Sequence, residues 1–149
     1  AVRAALVADG RVRGSSFAAL QRWPHDFRAL DAMSQPQRDA CIGRRRDTNE
    51  ELDDAPASAH VKRTAQERFE PEAFVVRRSM PWVDGREAGL MFLAFAASAD
   101  PFEVQMRRMA GLDDGIVDAL FRFTRPVTGA TFWCPAIAGG RIDLAPLGI

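Results

Sequence analysis

The amino-acid sequence predicts an α+β domain in which an antiparallel sheet carries helices on one face. Three observations predict this class. Four stretches have the composition of strands, near residues 17, 75, 91 and 132; pairs of helical patterns follow the first and the third of them; and no internal repeat or low-complexity segment interrupts the order. The resulting order, β-α-β-β-α-β, is that of the ferredoxin-like, or split β-α-β, fold.

The first strand and two helices are predicted before residue 44. Ser16–Trp23 alternates imperfectly as a strand, and Pro24 ends it. His25–Met33 then has apolar residues at helical spacing. A second helix follows Ser34, which forms a capping box with the glutamine three residues on, and Gly43 can end it in a left-handed cap.

A hairpin is predicted in the middle of the chain. Phe74–Arg77 has the composition of a strand, and the apolar run Gly89–Ala96 that of a strand buried on both faces. Met80–Gly85 separates them as a turn-rich connection.

Two helices and a short strand are predicted to follow. One helix begins at Asp100, because proline and then glutamate come within its first turn, and ends near Gly111. Asp114–Phe123 repeats the helical pattern, and Thr131–Trp133 is the final strand.

Length and composition favour one domain over residues 1–149, since 47% of the residues are hydrophobic and can form a core. Twenty basic and twenty acidic residues cancel, so no global field favours nucleic acid or an anionic membrane. The longest apolar run, Ala88–Ala97, is too short to span a bilayer, and the N-terminus lacks the apolar core of a signal peptide. We therefore expect a cytoplasmic protein without a nucleic-acid or membrane partner.

Two histidines are the candidate metal ligands. A lone histidine is more often a surface or hydrogen-bonded core residue than a ligand. His25 is predicted in the first turn of a charged helix beside Asp26, which favours a structural role. His60 follows the charged loop Arg44–Pro56, which on composition alone is a solvated loop. His60 is therefore the candidate ligand.

Four phrases of the sequence resemble the dye-decolourising (DyP-type) haem peroxidases. Their order and approximate spacing are similar to those of the C-terminal half of that family, and together they cover nearly the whole chain. The resemblance implies that the chain is the second of the two ferredoxin-like units that form a dimeric α+β barrel. The phrases are Gly14–Trp23; Ile42–Arg44 with Asn49–Asp54; Ser58–Thr64 with Arg77–Pro81; and Phe123–Thr124 with Thr128–Gly129.

The resemblance implies a haem b cofactor with His60 as the iron ligand. On the opposite side, Arg77 would remain charged and stabilise negative charge on the leaving oxygen of a peroxide. Ser79 would return to the face of Arg77, with Arg78 on the other face, and could hydrogen-bond the peroxide. Arg44 could pair with a haem propionate.

Two departures from the family bear on the chemistry. Where some relatives carry a carboxylate, this chain has Arg122, so Asp118 is a possible substitute acceptor for the second ring nitrogen of His60. The family's Gly-x-x-Asp-Gly motif, whose aspartate moves the peroxide proton, is absent. The chain is then a fragment, works with arginine alone, or depends on a separate polypeptide for the first half.

The implied function is reduction of hydrogen peroxide coupled to one-electron oxidation of dyes, phenols or similar bulky donors, with Trp82 as a candidate electron relay. The alternative is a non-catalytic ferredoxin-like module that binds haem or mediates oligomerisation. In both cases we expect a homo-oligomer or association with the missing N-terminal half, because the sheet would otherwise expose apolar surface.

Overall fold

The computed structural model of the chain describes residues 2–149 and has a five-stranded antiparallel sheet at its centre. Strand β4 pairs with β1 on one side, and β1 pairs in turn with β5. On its other side, β4 pairs with β2 near its C-terminal end and with β3 near its N-terminal end. The predicted α+β class with a ferredoxin-like, antiparallel sheet is confirmed. The strands are β1 (Ser16–Pro24), β2 (Val76–Arg77), β3 (Met80–Asp84), β4 (Glu87–Ala96), β5 (Ala130–Cys134) and a separate hairpin of β6 (Ile137–Ala138) and β7 (Arg141–Ile142).

Four helices and several 3-10 turns accompany the sheet. Helix α3 contacts both α2 and α4, and α4 also packs on β4, so the three helices form a layer beside the sheet. No helix within residues 2–149 is long and apolar enough to cross a membrane. The helices are α1 (Phe27–Asp31), α2 (Gln35–Ile42), α3 (His60–Arg63) and α4 (Asp100–Met109), and the 3-10 turns are Val2–Ala5, Gln66–Arg68, Ala119–Arg122 and Ala145–Leu147.

The register of β1 against β4 decides which side chains face the helices. Phe17 pairs with Ala96 at one end and Pro24 with Gly89 at the other. A Cβ on Gly89 would collide with the Trp23 carbonyl oxygen and lie 2.8 Å from Pro24 Cα, so only glycine permits this close approach. Alternation along β1 then places residues 19, 21 and 23 on one face and residues 20 and 22 on the other.

The boundaries of α2 follow from capping residues that the sequence contains. The side-chain oxygen of Gln37 accepts a 2.8 Å hydrogen bond from the Ser34 backbone N–H, as the predicted capping box requires. Gly43 ends α2 with φ +89°, in the left-handed region. The predicted helix from Asp100 is present as α4, and its apolar face is directed at the sheet.

Three predicted elements differ from the structure. The predicted connection Met80–Gly85 is largely strand β3, because residues 80–84 pair with residues 87–91 and leave only a two-residue turn. The predicted helix at 25–33 is confined to α1, because His25 forms a β-bridge with Thr124 and Asp26 is the N-cap. The predicted helix Asp114–Phe123 is wrong: Gly115 has φ +75°, and only residues 119–122 form a 3-10 turn.

Candidate functional site

A cavity of about 250 Å³ lies between the sheet and the helix layer, and most of its lining is apolar. The sheet contributes alternate residues of β1 and β4, and the helices contribute one face of α4. The polar side chains at its wall are two histidines, one arginine, two glutamines and two threonines. They are His25, His60, Arg77, Gln21, Gln105, Thr64 and Thr124.

His60 is held in a defined orientation by a buried carboxylate. It is the first residue of α3, and its Nδ1 lies 2.8 Å from Oδ2 of Asp118. Asp118 is only 1% exposed, and its other oxygen accepts a 2.9 Å hydrogen bond from the Leu120 N–H. Since the carboxylate accepts the proton on Nδ1, the neutral ring presents the lone pair of Nε2. Nε2 has no hydrogen-bond partner within residues 2–149.

The short helix that carries His60 is fixed by Arg63, which is 4% exposed. Its guanidinium makes a bidentate pair with Asp114, at 2.7 and 2.8 Å, and donates to the Arg108 carbonyl at 2.6 Å. These hydrogen bonds from Arg63 lower the pKa of Asp114, and the backbone N–H of Ile116 adds to the shift. A single turn of helix is marginal alone, so this clamp to the end of α4 contributes to the position of His60.

The structure brings Arg77 to the same cavity as His60. Arg77 lies on β2 opposite Ala94, and within residues 2–149 its guanidinium has no hydrogen-bonding or ion-pair partner. Arg78 points elsewhere and donates to the Arg77 carbonyl at 3.1 Å. Ser79 is half-buried and does not line this cavity, so the structure does not place it beside Arg77 at the site.

Arg44 lines an adjoining cleft of about 610 Å³, which shares His60, Thr64 and Arg77 with the cavity. The guanidinium of Arg44 pairs with Glu51 and donates to the Asn49 carbonyl at 2.8 Å. Such a partly exposed ion pair contributes little stability, so a ligand carboxylate can compete for this arginine.

His25 also lines the cavity, which the sequence did not indicate. Its Nδ1 lies 2.7 Å from Oγ1 of Thr124, and that hydroxyl is 2.9 Å from the Pro24 carbonyl. Because the hydroxyl donates its one proton to the carbonyl, it accepts from Nδ1–H of His25. Burial lowers the pKa of His25, against an opposing contribution from the Pro24 carbonyl. The signal was available, since residues 21, 23 and 25 alternate on one face.

The tryptophans differ in their relation to the cavity. Trp23 lines it, is 6% exposed and stacks on Phe121 with ring centroids 5.8 Å apart. Trp82 lies under the Arg22 guanidinium, 3.9 Å from the ring centroid. Arg22 alternates with cavity-facing neighbours on β1, so Trp82 lies on the opposite face of the sheet and does not line the cavity.

Comparison with known proteins gives curated relatives that are dye-decolorizing peroxidases. Curated dye-decolorizing peroxidases of Mycobacterium tuberculosis and Rhodococcus erythropolis are each 30% identical to the chain; they cover 87% and 82% of it, and it covers 40% and 38% of them. The chain thus spans less than half the length of the curated relatives that it matches.

Solved structures agree with this result. A dye-decolorizing protein from V. cholerae is 34% identical with a TM-score of 0.80, over 87% of this chain and 44% of that one. A variant of DypB from Rhodococcus jostii in complex with haem is 28% identical with a TM-score of 0.83, over 91% of this chain and 46% of that one. The family model described as Dyp-type peroxidase, C-terminal, matches residues 1–139. With the antiparallel sheet and the cavity of His60 and Arg77, these matches establish that the chain belongs to the C-terminal family of Dyp-type peroxidases.

Proposed function

We propose that the chain binds haem b through His60 and forms the haem-binding part of a peroxidase. The observation that carries the proposal is the His60–Asp118 pair, which directs a free Nε2 lone pair toward a mostly apolar cavity. Haem in peroxidases is held by one proximal histidine, and a carboxylate on its other nitrogen raises the basicity of the ligand.

The residues that line the cavity and the adjoining cleft fit a haem group. Within residues 2–149, no three or more His, Cys, Asp and Glu side chains are grouped so that they could hold a metal ion, whereas a porphyrin brings four nitrogens of its own and needs one histidine. The cavity and the adjoining cleft together offer a space of the size of ordinary cofactor sites. Arg44 at the cleft would pair with a propionate in place of Glu51.

Bound haem would supply the iron that exchanges electrons with hydrogen peroxide and with a bulky donor such as a dye or phenol. The peroxide takes up two electrons and two protons to give two waters, and two one-electron donors provide the electrons. Arg77 on the sheet wall would stabilise the negative charge that develops on the leaving oxygen, since guanidinium keeps its charge at every working pH. A hydrogen bond from Ser79 to the peroxide remains a prediction.

A second function is favoured by one observation. No aspartate or glutamate lines the cavity within the described part of the chain, so this segment contains no carboxylate there to move the peroxide proton. A non-catalytic haem-binding or oligomerisation module is therefore the alternative. Association with an N-terminal half, or with a second copy of the chain, is part of the proposal, because the relatives are more than twice as long.

The test is haem uptake, followed by the Soret absorption band of reconstituted protein. We expect the wild type to bind haem, His60→Ala to lose the band, and Asp118→Asn to bind about 10 to 100 times more weakly, the cost of losing an outer-shell acceptor. His25→Ala is the matched control and should retain the band. Equal spectra for wild type and His60→Ala would refute the ligand assignment. Haem uptake without peroxide-dependent dye oxidation would favour the non-catalytic module.

A further inference from the structure

The side-chain amide of Gln21 has a hydrogen-bonded oxygen and an NH₂ group without a hydrogen-bond partner among the described residues. Gln21 lies on β1 at the sheet wall of the cavity and is 8% exposed. Its Oε1 accepts a 3.0 Å hydrogen bond from Nε1–H of Trp23, which is also buried. An indole nitrogen can only donate, so the amide oxygen must face Trp23 and the NH₂ group must turn away from it. This assignment removes the usual ambiguity between the two ends of a glutamine.

The free NH₂ group of Gln21 has no hydrogen-bond acceptor within residues 2–149. Gln21 Nε2 is not among the fully buried, unpaired side-chain atoms of residues 2–149, which are Arg63 Nε, Trp82 Nε1 and Trp133 Nε1, so its NH₂ group borders open space. Gln105, also at the cavity wall but on α4, differs because its Nε2 donates to the Ala73 carbonyl at 2.7 Å. The unpaired amide therefore belongs to the sheet wall, and an acceptor that enters the cavity would satisfy it.

The strand register places Gln21 on the same wall as Arg77. Gln21 pairs with Phe92 on β4, and Arg77 pairs with Ala94, two residues further along the same strand. Ala94 also pairs with Ala19 of β1, so small side chains lie across the sheet from Arg77 toward β1. The side chains of Gln21 and Arg77 thus extend from the same face of the sheet, whereas His60 reaches the cavity from the helix layer.

We propose that Gln21 is a second hydrogen-bond donor, beside Arg77, to the small oxygen ligand or anion that occupies the cavity opposite His60. Trp23 is its positioning residue, because the indole N–H fixes which end of the amide faces the cavity. The inference rests on the proposed haem site and deepens it. A neutral donor supplements the charged one without adding a titrating group to an apolar cavity.

Fluoride is a suitable probe, because it binds ferric haem iron as a small anion and accepts hydrogen bonds from neighbouring donors. Its dissociation constant is measured by absorption titration of haem-loaded protein. We expect Gln21→Leu to raise this constant about tenfold, the factor that corresponds to one hydrogen bond. Gln21→Glu keeps an acceptor for Trp23 but loses the N–H, so it should weaken fluoride at least as much. Trp23→Phe should cause a smaller loss, because the amide then rotates freely.

Gln105→Leu is the matched control, and its fluoride constant should stay within about twofold of the wild-type value, since its N–H is already paired. Wild-type affinity in both Gln21 variants would overturn the proposal, as would an equal loss in Gln105→Leu, which would indicate general damage to the cavity. If Gln21→Leu takes up no haem, Gln21→Glu decides the question. If the wild type takes up no haem, the proposed function itself fails and this inference fails with it.

Discussion

Arg77 has the only permanently charged side chain at the cavity wall among the described residues. Its neighbour Arg78 lies on the same chain segment with the same charge, but it bonds the Arg77 carbonyl outside the cavity. The two arginines therefore separate the effect of a charge inside the site from the effect of a charge near it. Both side chains are exposed, so the difference between them is one of position: only Arg77 borders the cavity.

We expect Arg77→Leu to slow the reaction of haem-loaded protein with peroxide by a factor of about 10² to 10³, the usual cost of one preorganised charge or donor. Arg78→Leu should change the rate less than about twofold, since Arg78 bonds the Arg77 carbonyl and does not line the cavity. Stopped-flow absorption after mixing with peroxide measures both. A rate that is unaffected by Arg77→Leu would mean that another residue stabilises the leaving oxygen.

The residues of the site were predictable to different degrees. His60 and Arg77 were selected by family resemblance, and the structure brings them to one cavity. Asp118 was proposed only as a substitute acceptor, and it is bonded to His60 although the helix predicted around it is absent. His25 was missed because it was predicted in a helix, whereas it continues the alternation of β1 and forms a β-bridge with Thr124. Gln21 was missed because the face of β1 that borders the cavity depends on how the sheet and the helices pack, which a single strand does not reveal.

At the scale of elements, α3 is the part of the site that depends most on contacts with other segments of the chain. It has a single turn, and its buried Arg63 depends on Asp114 from the loop after α4. The loop forms because glycines at 111 and 115 adopt positive φ, and this interrupts the helical periodicity that predicted a continuous element there. Apolar spacing alone does not distinguish a helix from a turn whose apolar residues reach the core for other reasons.

Asp114→Asn should destabilise the protein at neutral pH, because it leaves the buried Arg63 without its counter-charge. The pKa of Asp114 is lowered in the folded state, so the ionised carboxylate stabilises the fold above its ordinary value of about 4, and this contribution is lost as the pH falls through the lower folded-state value. The difference between wild type and variant in the free energy of unfolding should therefore be constant above about pH 5 and shrink toward pH 3.

Denaturant unfolding at several pH values checks this, with Asp113→Asn as the control. Asp113 makes a long, exposed ion pair, with its Oδ1 3.7 Å from Nε of Arg107. Removing its charge should therefore have little effect on the free energy of unfolding at any pH. An Asp114→Asn penalty that persists undiminished at pH 3 would show that packing, and not charge, joins the loop to α3.

At the scale of the whole molecule, the two faces of the sheet have different surroundings. One face covers the cavity and the helices, whereas the other leaves large apolar side chains exposed. Met80 is 54% exposed and Phe132 52%, and their strand partners Met91 and Ala18 lie on the face opposite the cavity. Exposed apolar side chains on a sheet face are a common basis for association.

We expect the isolated chain to associate through this outer face, either with a second copy or with an N-terminal half. Phe132→Asp should raise the dissociation constant of self-association about tenfold or more, since burying a charge at an apolar contact is costly. Leu112→Asp, at an exposed apolar position in the loop after α4, is the control. Sedimentation velocity over a range of concentrations measures both, and equal behaviour of the two variants would exclude the sheet face as the contact.

The guanidinium of Arg22 over Trp82 has a consequence for where an electron can leave the molecule. A cation is attracted to the negative face of a neutral indole ring. Removing an electron from that ring makes it positive and turns the attraction into repulsion, so Arg22 makes Trp82 harder to oxidise. Trp23 has no cation over its ring within the described residues, contacts the cavity directly and is stacked on Phe121. An electron hole formed in the cavity would therefore settle on Trp23 in preference to Trp82.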